Sequence, residues 1–297
     1  MSSFHGEIAA MGTALCWSFG SIFFTISSRR LGYNVVNRIR LAVALLLLTL
    51  AHFITYGRFI PLNVTGYHWF WFGLSGIVGF AIGDMLLFKA FVLLGARIAM
   101  LLMALVPVFG TIIAWLFLGE ALNFAEVLAI SIVIAGIVWV VSERKNNDHS
   151  GNNYIVGILC GIGGAMGQAL GLILSKEGLG TEYSALSANI IRVFVAACSL
   201  WLITLIRGRI PHTVRKLKDK KGAAALSGGA FFGPFLGVWL SLVAVQRTYV
   251  GIASTLMALP PIFLIPLSHW IFKEKISLGA IIGTIVAVIG VALIFFL

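Results

Sequence analysis

With 297 residues, 60% of them hydrophobic and 10% charged, and a mean hydropathy of +1.04, the chain has too little polar surface to coat a soluble globule and reads as an integral membrane protein. A formal net charge of +11 would suggest nucleic acid in a soluble protein; here the basic residues fall almost wholly between apolar segments, where they serve topology, and no nucleic-acid partner is expected. Cys16, Cys160 and Cys198 lie inside apolar runs without metal-ligand or CxxC spacing, so they read as small packing residues.

Hydropathy marks ten spans, at residues 7–26, 39–56, 68–91, 97–118, 124–141, 155–174, 188–206, 224–245, 251–271 and 277–296. Runs of about 18 to 25 apolar residues let a helix cross a hydrocarbon core of about 30 Å, and the alternation needed for barrel strands is missing. Residues 1–6 carry no Lys or Arg, so the first run reads as a retained span rather than a cleavable signal peptide.

Trp17 lies midway along the first span, near Ser18 and Ser21; it either lines a central cavity or simply packs. Asn37 and Arg40 open the second span. The third brings Trp69 and Trp71 at an interface, Gly76, Gly79 and Gly83, and then Asp84, the one acidic residue well inside a span. An unpaired charge at that depth costs several kcal/mol, so Asp84 must face a partner or water, and it leads the candidates for a substrate site. Lys89, five residues on and about 140° around the helix, does not share its face. Pro107 in the fourth span removes a helical hydrogen bond and predicts a kink.

After the fifth span comes a polar, turn-rich stretch, residues 142–153, read as a linker. The sixth span carries Gly157 and Gly161, then Gly163, Gly167 and Gly171, four residues apart. These small faces either let helices approach closely or leave room for a substrate. Gln168 lies among them, and with Trp17, Asp84 and Lys89 it completes the substrate-binding candidates. Asn189 and Arg192 open the seventh span, and Pro260, Pro261 and Pro266 predict kinks in the ninth.

The chain also repeats itself. Ile98, Ala99, Leu102 to Leu105 and Pro107, with Glu120 thirteen residues past the proline, recur as Ile252, Ala253, Leu256 to Leu259 and Pro261, with Glu274 at the same distance. That offset of 154 also carries Gly136 onto Gly290, the mark of internal duplication. With five spans per copy, the second copy enters the membrane from the opposite side, giving inverted repeats. Parity then pairs Arg40 with Glu274 on one face and Arg192 with Glu120 on the other, as alternating gates; the alternative is that all four are ordinary interfacial charges. Asp84 falls on Val238 and Lys89 on Val243, so the first half holds polar groups that the second lacks.

Leu-Val-Pro followed by Leu118-Gly119-Glu120, and Leu-Pro-Pro followed by Phe272-Lys273-Glu274, on ten spans in two five-helix halves, resemble the drug/metabolite transporter superfamily, specifically its EamA-type members. The resemblance implies a secondary transporter of small metabolites working by alternating access, with both termini in the cytoplasm. Charge counting points the other way: fourteen Lys and Arg lie in loops on the face opposite the termini against three on the terminal face, which puts both termini outside.

The expectation is therefore an all-α polytopic membrane protein, with a first repeat at 1–141, the linker at 142–153 and a second repeat at 154–297. It would be a transporter, most simply an exporter, of amino acids or drug-like amphiphiles in the plasma membrane. Proton coupling through Asp84 and uniport both stay open. Neither paired histidines nor a Walker-type loop occurs in the sequence, so ATP-driven pumping and any cofactor or metal are not expected; the alternative to a transporter is an intramembrane enzyme or a structural membrane protein without transport activity. Ten spans suffice for a self-contained cavity, so a monomer is the default.

Overall fold

The structure is a computed structural model that describes residues 5–62, 64–118, 123–145, 151–179, 183–248 and 250–296. Among these the chain is helical, without strands, and ten helical stretches are long and apolar enough to cross a membrane. The first is His5–Leu31, the second Tyr33–Tyr56, the third Gly66–Leu94 and the sixth Gly151–Leu179. The fourth and ninth are broken. Ala96–Leu102 is followed by Leu105–Leu118, and Val250–Met257 by Pro260–Phe272, so both breaks fall just before the prolines, which lie in the first turn of the resumed helix. There a proline gives up no hydrogen bond that the helix needs.

Two helices run further than hydropathy predicts. Arg29 and Arg30 lie in the first helix rather than in a loop, and Arg38 lies in the second. The polar end of the first helix persists because Ser27 Oγ donates back to the Phe24 carbonyl and Arg30 pairs with Asp219. Only Gly32, at φ 91°, separates the two helices, a corner that an L side chain adopts poorly.

Polarity is arranged inside out relative to a soluble protein. Ile54, Phe124 and Trp270 are each more than 80% exposed, whereas Arg38, Arg40, Asp84 and Asn189 are buried among the helices. A chain whose apolar side chains face outward and whose charges face inward is built for lipid.

The helix pairing repeats with the sequence. The first helix packs along the eighth (starting at Lys220) as the sixth packs along the third, and the fifth and tenth pack against each other. The duplication extends to a backbone irregularity. In the third helix Ile77–Gly83 widens to π-helical geometry, in the eighth Phe231–Gly237 does the same, and the two segments lie 154 residues apart. At their ends the amide of Asp84 donates to the Gly79 carbonyl and that of Val238 to the Gly233 carbonyl, each five residues back. Such wide turns cost regular hydrogen bonding and cluster at functional sites.

Candidate functional site

The first π segment delivers Asp84 into the centre of the bundle, 6% exposed. It can do so because the sixth helix comes very close: a Cβ on Gly167 would lie 2.8 Å from the Gly83 Cα. Glycine at both positions removes the barrier to that approach. Gln168, next along the sixth helix, donates from Nε2 to Asp84 Oδ1, and Arg40 donates from Nη2 to Oδ2. The carboxylate is thus bonded from both halves of the molecule. Arg40 is fixed in turn through its Nε, which donates to the Asn37 side-chain Oδ1 at 3.1 Å, while Asn37 Nδ2 donates to the Phe80 and Ala81 backbone carbonyls of the π segment at 3.2 and 3.1 Å. The Arg40 guanidinium carbon also lies 4.9 Å from the Phe88 ring centre and 5.9 Å from that of Phe24, contacts that stabilise a desolvated cation.

Arg192 reaches the same place from the seventh helix. Its guanidinium carbon is 4.6 Å from the Phe80 ring centre and 6.0 Å separates the same ring from Arg40. The second arginine thus shares the Phe80 ring with Arg40, the partner of Asp84, and makes no described ion pair with the carboxylate itself. Its Nε is fully buried and has no hydrogen-bond partner. Arg40 and Arg192 open equivalent motifs in the two repeats, so both halves send an arginine toward one carboxylate that only the first half supplies.

Of the substrate-site residues expected from sequence, Asp84 and Gln168 come together. Lys89 makes no ion pair with Asp84. Trp17 is placed elsewhere, against the second π segment: a Cβ on Gly237 would lie 2.7 Å from its Cδ1 and Nε1. The first helix meets the eighth at Gly20 and Gly233, and the sixth meets the third at Gly171 and Gly79. These matched crossings align the first and sixth helices at an offset of 151, which carries Trp17 onto Gln168. The site at the second π segment therefore has Trp17 and Val238 where the site at the first has Gln168 and Asp84.

The expected Arg40–Glu274 pair does not form. Arg40 lies seven residues inside a helix that begins at Tyr33, about 10 Å below its end at 1.5 Å per residue, level with Asp84. Glu274 stands past the end of the ninth helix, which Lys273 terminates in the left-handed conformation, and its Oε2 is 3.5 Å from Arg97 Nε. Arg97 went unnoticed in the sequence because it sits at the very start of a span, where charges are common. The expected partner of Arg192, Glu120, lies outside the described residues; Arg192 itself is at the Asp84 cluster rather than at a membrane face. Kinks at Pro107, Pro260 and Pro261 correspond to the two helix breaks described above.

The two membrane faces differ. On the face opposite the termini, Arg97–Glu274 joins the fourth helix to the ninth, Arg30–Asp219 at 2.8 Å joins the first to the eighth, and Arg38 donates to Thr204 and Thr213 at 3.0 and 2.8 Å. On the terminal face the described connections are neutral or involve one charge: Tyr56 with Ser184 at 2.9 Å, His52 with Ser187 at 3.1 Å, and Thr248 donating to Glu7 at 2.8 Å.

Comparison with known proteins agrees with this architecture. Protein LicB of Haemophilus influenzae is 32% identical over 142 residues, a match that spans 46% of this chain and 46% of that protein. A protein of known crystal structure superposes with a TM-score of 0.66 over 97% of this chain and 95% of its own, at 16% identity, which speaks to fold alone. The model of the EamA-like transporter family matches twice, at residues 4–142 and 155–296. Covering nearly the whole chain with one family unit per half, that double match makes this multi-pass membrane protein a member of the EamA-like transporter family, whose members transport small molecules.

Proposed function

We propose that the chain is a secondary transporter in the plasma membrane that exports small metabolites, amino acids or drug-like amphiphiles by alternating access, and that the Asp84 cluster is its central site. The observation that carries this reading is the convergence of Arg40 and Arg192, equivalent residues of the two repeats, on the Phe80 ring, with Arg40 paired to the one central carboxylate. When the repeats rock against each other, Asp84 must change its relation to at least one of the two arginines. Movement of the halves is thereby coupled to occupancy of the centre. The ion pair Arg97–Glu274 crosses between repeats and closes the face opposite the termini, and opening that face requires it to part. No chemistry other than binding and release is asked of these residues.

Counterflow of a radiolabelled amino-acid and aromatic-amine panel in proteoliposomes tests the proposal. Wild-type protein is expected to move at least one member, and Asp84→Asn to abolish that flux while the purified variant stays monodisperse. Full flux in Asp84→Asn would remove the cluster from the mechanism. Running the same assay with and without an imposed proton gradient separates coupled transport from uniport.

A further inference from the structure

The central cluster contains two guanidinium groups and one carboxylate, an excess of one positive charge deep in a membrane-spanning bundle. Charges at that depth are retained where they have a partner to bind. Asp84 is not that partner for Arg192 in this structure: Gln168 and Arg40 hold its two oxygens, and among the described ion pairs Asp84 is joined to Arg40 and not to Arg192. Arg192 has an aromatic face beside it and a buried, unpartnered Nε. Leaving a buried donor on a charged group unsatisfied costs more than an ordinary hydrogen bond is worth.

The repeat shows which group is missing. Where Arg40 faces Asp84 in the first half, the counterpart of that carboxylate in the second half is Val238, and beside it Trp17 replaces Gln168. A small cleft lies at this point of the eighth helix, lined by Val238, Phe235 and Trp239, by Leu48 of the second helix, and by Leu186, which is six residues before Arg192 on the seventh. Its walls are apolar and aromatic apart from Thr55, whose hydroxyl donates to the Ala51 carbonyl. In this conformation the cleft has room for little more than a water molecule, so a ligand that supplied an anion at Arg192 would have to part the surrounding helices to seat an apolar or aromatic body here.

We infer that Arg192 is the anion subsite of this transporter and that its substrates carry a carboxylate or comparable anionic group on an apolar body. This rests on the proposed transport function, and it narrows the substrate class from small metabolites in general to acids, including zwitterionic ones. Arginine suits the task because its planar fork matches the geometry of an oxyacid and stays charged when desolvated.

Three radiolabelled probes share a phenyl body and differ in charge: 3-phenylpropionate, L-phenylalanine and phenethylamine. Equilibrium binding to the purified full-length protein is expected for the two that bear a carboxylate, with phenethylamine weaker by about ten- to a hundredfold, the range set by a charge-assisted hydrogen bond. Arg192→Gln should lose a similar factor for 3-phenylpropionate, and Arg192→Lys should recover part of it. Phenethylamine binding as well as the acids, binding of none of the three, or unchanged affinity in Arg192→Gln each overturns the assignment. The wild-type comparison needs no variant and is immune to misfolding. Proteoliposome flux keeps the two readings apart: 3-phenylpropionate that binds but never crosses ends the transport reading and leaves the subsite, whereas phenethylamine flux indifferent to Arg192→Gln does the reverse.

Discussion

The two π segments are the same device used twice, and they end differently. In the third helix the segment ends at Gly83 against Gly167 and presents Asp84 to Gln168 and Arg40. In the eighth it ends at Gly237 against Trp17 and presents Val238. Equal parts of a duplicated chain show what the scaffold requires: the wide turn, the glycine at its end, the close neighbouring helix and an arginine on the helix that precedes the one with the wide turn. Unequal parts show where chemistry was placed, because only there did the two copies come to satisfy different demands. Breaking the first site and leaving the second intact is therefore the most direct way to separate scaffold from chemistry.

The largest effect is expected from Arg40→Ala. It leaves the Asp84 carboxylate buried without its cation, and loss of one partner from a buried pair costs about 3–5 kcal/mol. Replacing both, with Arg40→Met and Asp84→Leu, removes the desolvated charges together and gives this half the apolar character of the Val238 site. The double variant should regain most of the stability lost by the single one while remaining inactive in transport. Thermal unfolding in detergent, read beside proteoliposome flux, distinguishes the two. A double variant as unstable as Arg40→Ala would mean that the pair holds the fold rather than the function.

A smaller effect follows from exchanging the residues that let the helices approach. At the offset of 151, Gly167 corresponds to Cys16. Gly167→Cys sets a side chain against the Gly83 backbone, where a Cβ has only 2.8 Å, and overpacking of this kind costs about 1–3 kcal/mol. The reverse change, Cys16→Gly, removes a buried side chain and adds a helical glycine, the latter worth about 1 kcal/mol. Both should lower the melting temperature, but only Gly167→Cys should displace Asp84 and reduce flux. Equal flux in the two variants would show that the separation of the third and sixth helices does not position the carboxylate.

These contrasts also explain what the sequence made legible. Span number, duplication and inversion follow from hydropathy, a repeated proline-to-glutamate pattern and parity, and all three depend on composition over many residues. Parity placed Arg40 and Arg192 at opposite faces. It could not supply depth: hydropathy began the second span at residue 39, so Arg40 looked interfacial, whereas its helix begins at Tyr33 and carries it inward. Once Arg40 was assigned to a face, Glu274 seemed its natural partner and Arg97 was overlooked. The correspondence of Trp17 with Gln168 was hidden because the first and sixth helices align at 151 rather than 154, a shift that loops absorb and that only the helix crossings reveal. The π geometry has a weak trace in the sequence, Gly79 and Gly83 repeated as Gly233 and Gly237, but equally spaced glycines are as readily explained by packing.

The smallest effect tests the contrast between the two faces. Asp219 caps the eighth helix and accepts two hydrogen bonds from Arg30, whose side chain is 43% exposed. The hydrogen bonds from Arg30, then that from the Gly222 amide, hold its carboxyl below the ordinary value of 3.8. A depressed carboxyl stabilises the folded state above its unfolded pKa and loses that contribution as pH falls through the folded one. The advantage of wild type over Asp219→Asn should thus be complete above pH 3.8 and fade below it. It should also shrink at about 1 M salt, where screening acts within about 3 Å. The Arg97–Glu274 pair, nearly buried on the arginine side at 6% exposure, is shielded from solvent ions, so Glu274→Gln should show much less salt dependence than Asp219→Asn in parallel melts. Equal salt sensitivity would place Arg97 and Glu274 at an exposed surface and remove them as the pair that closes this face.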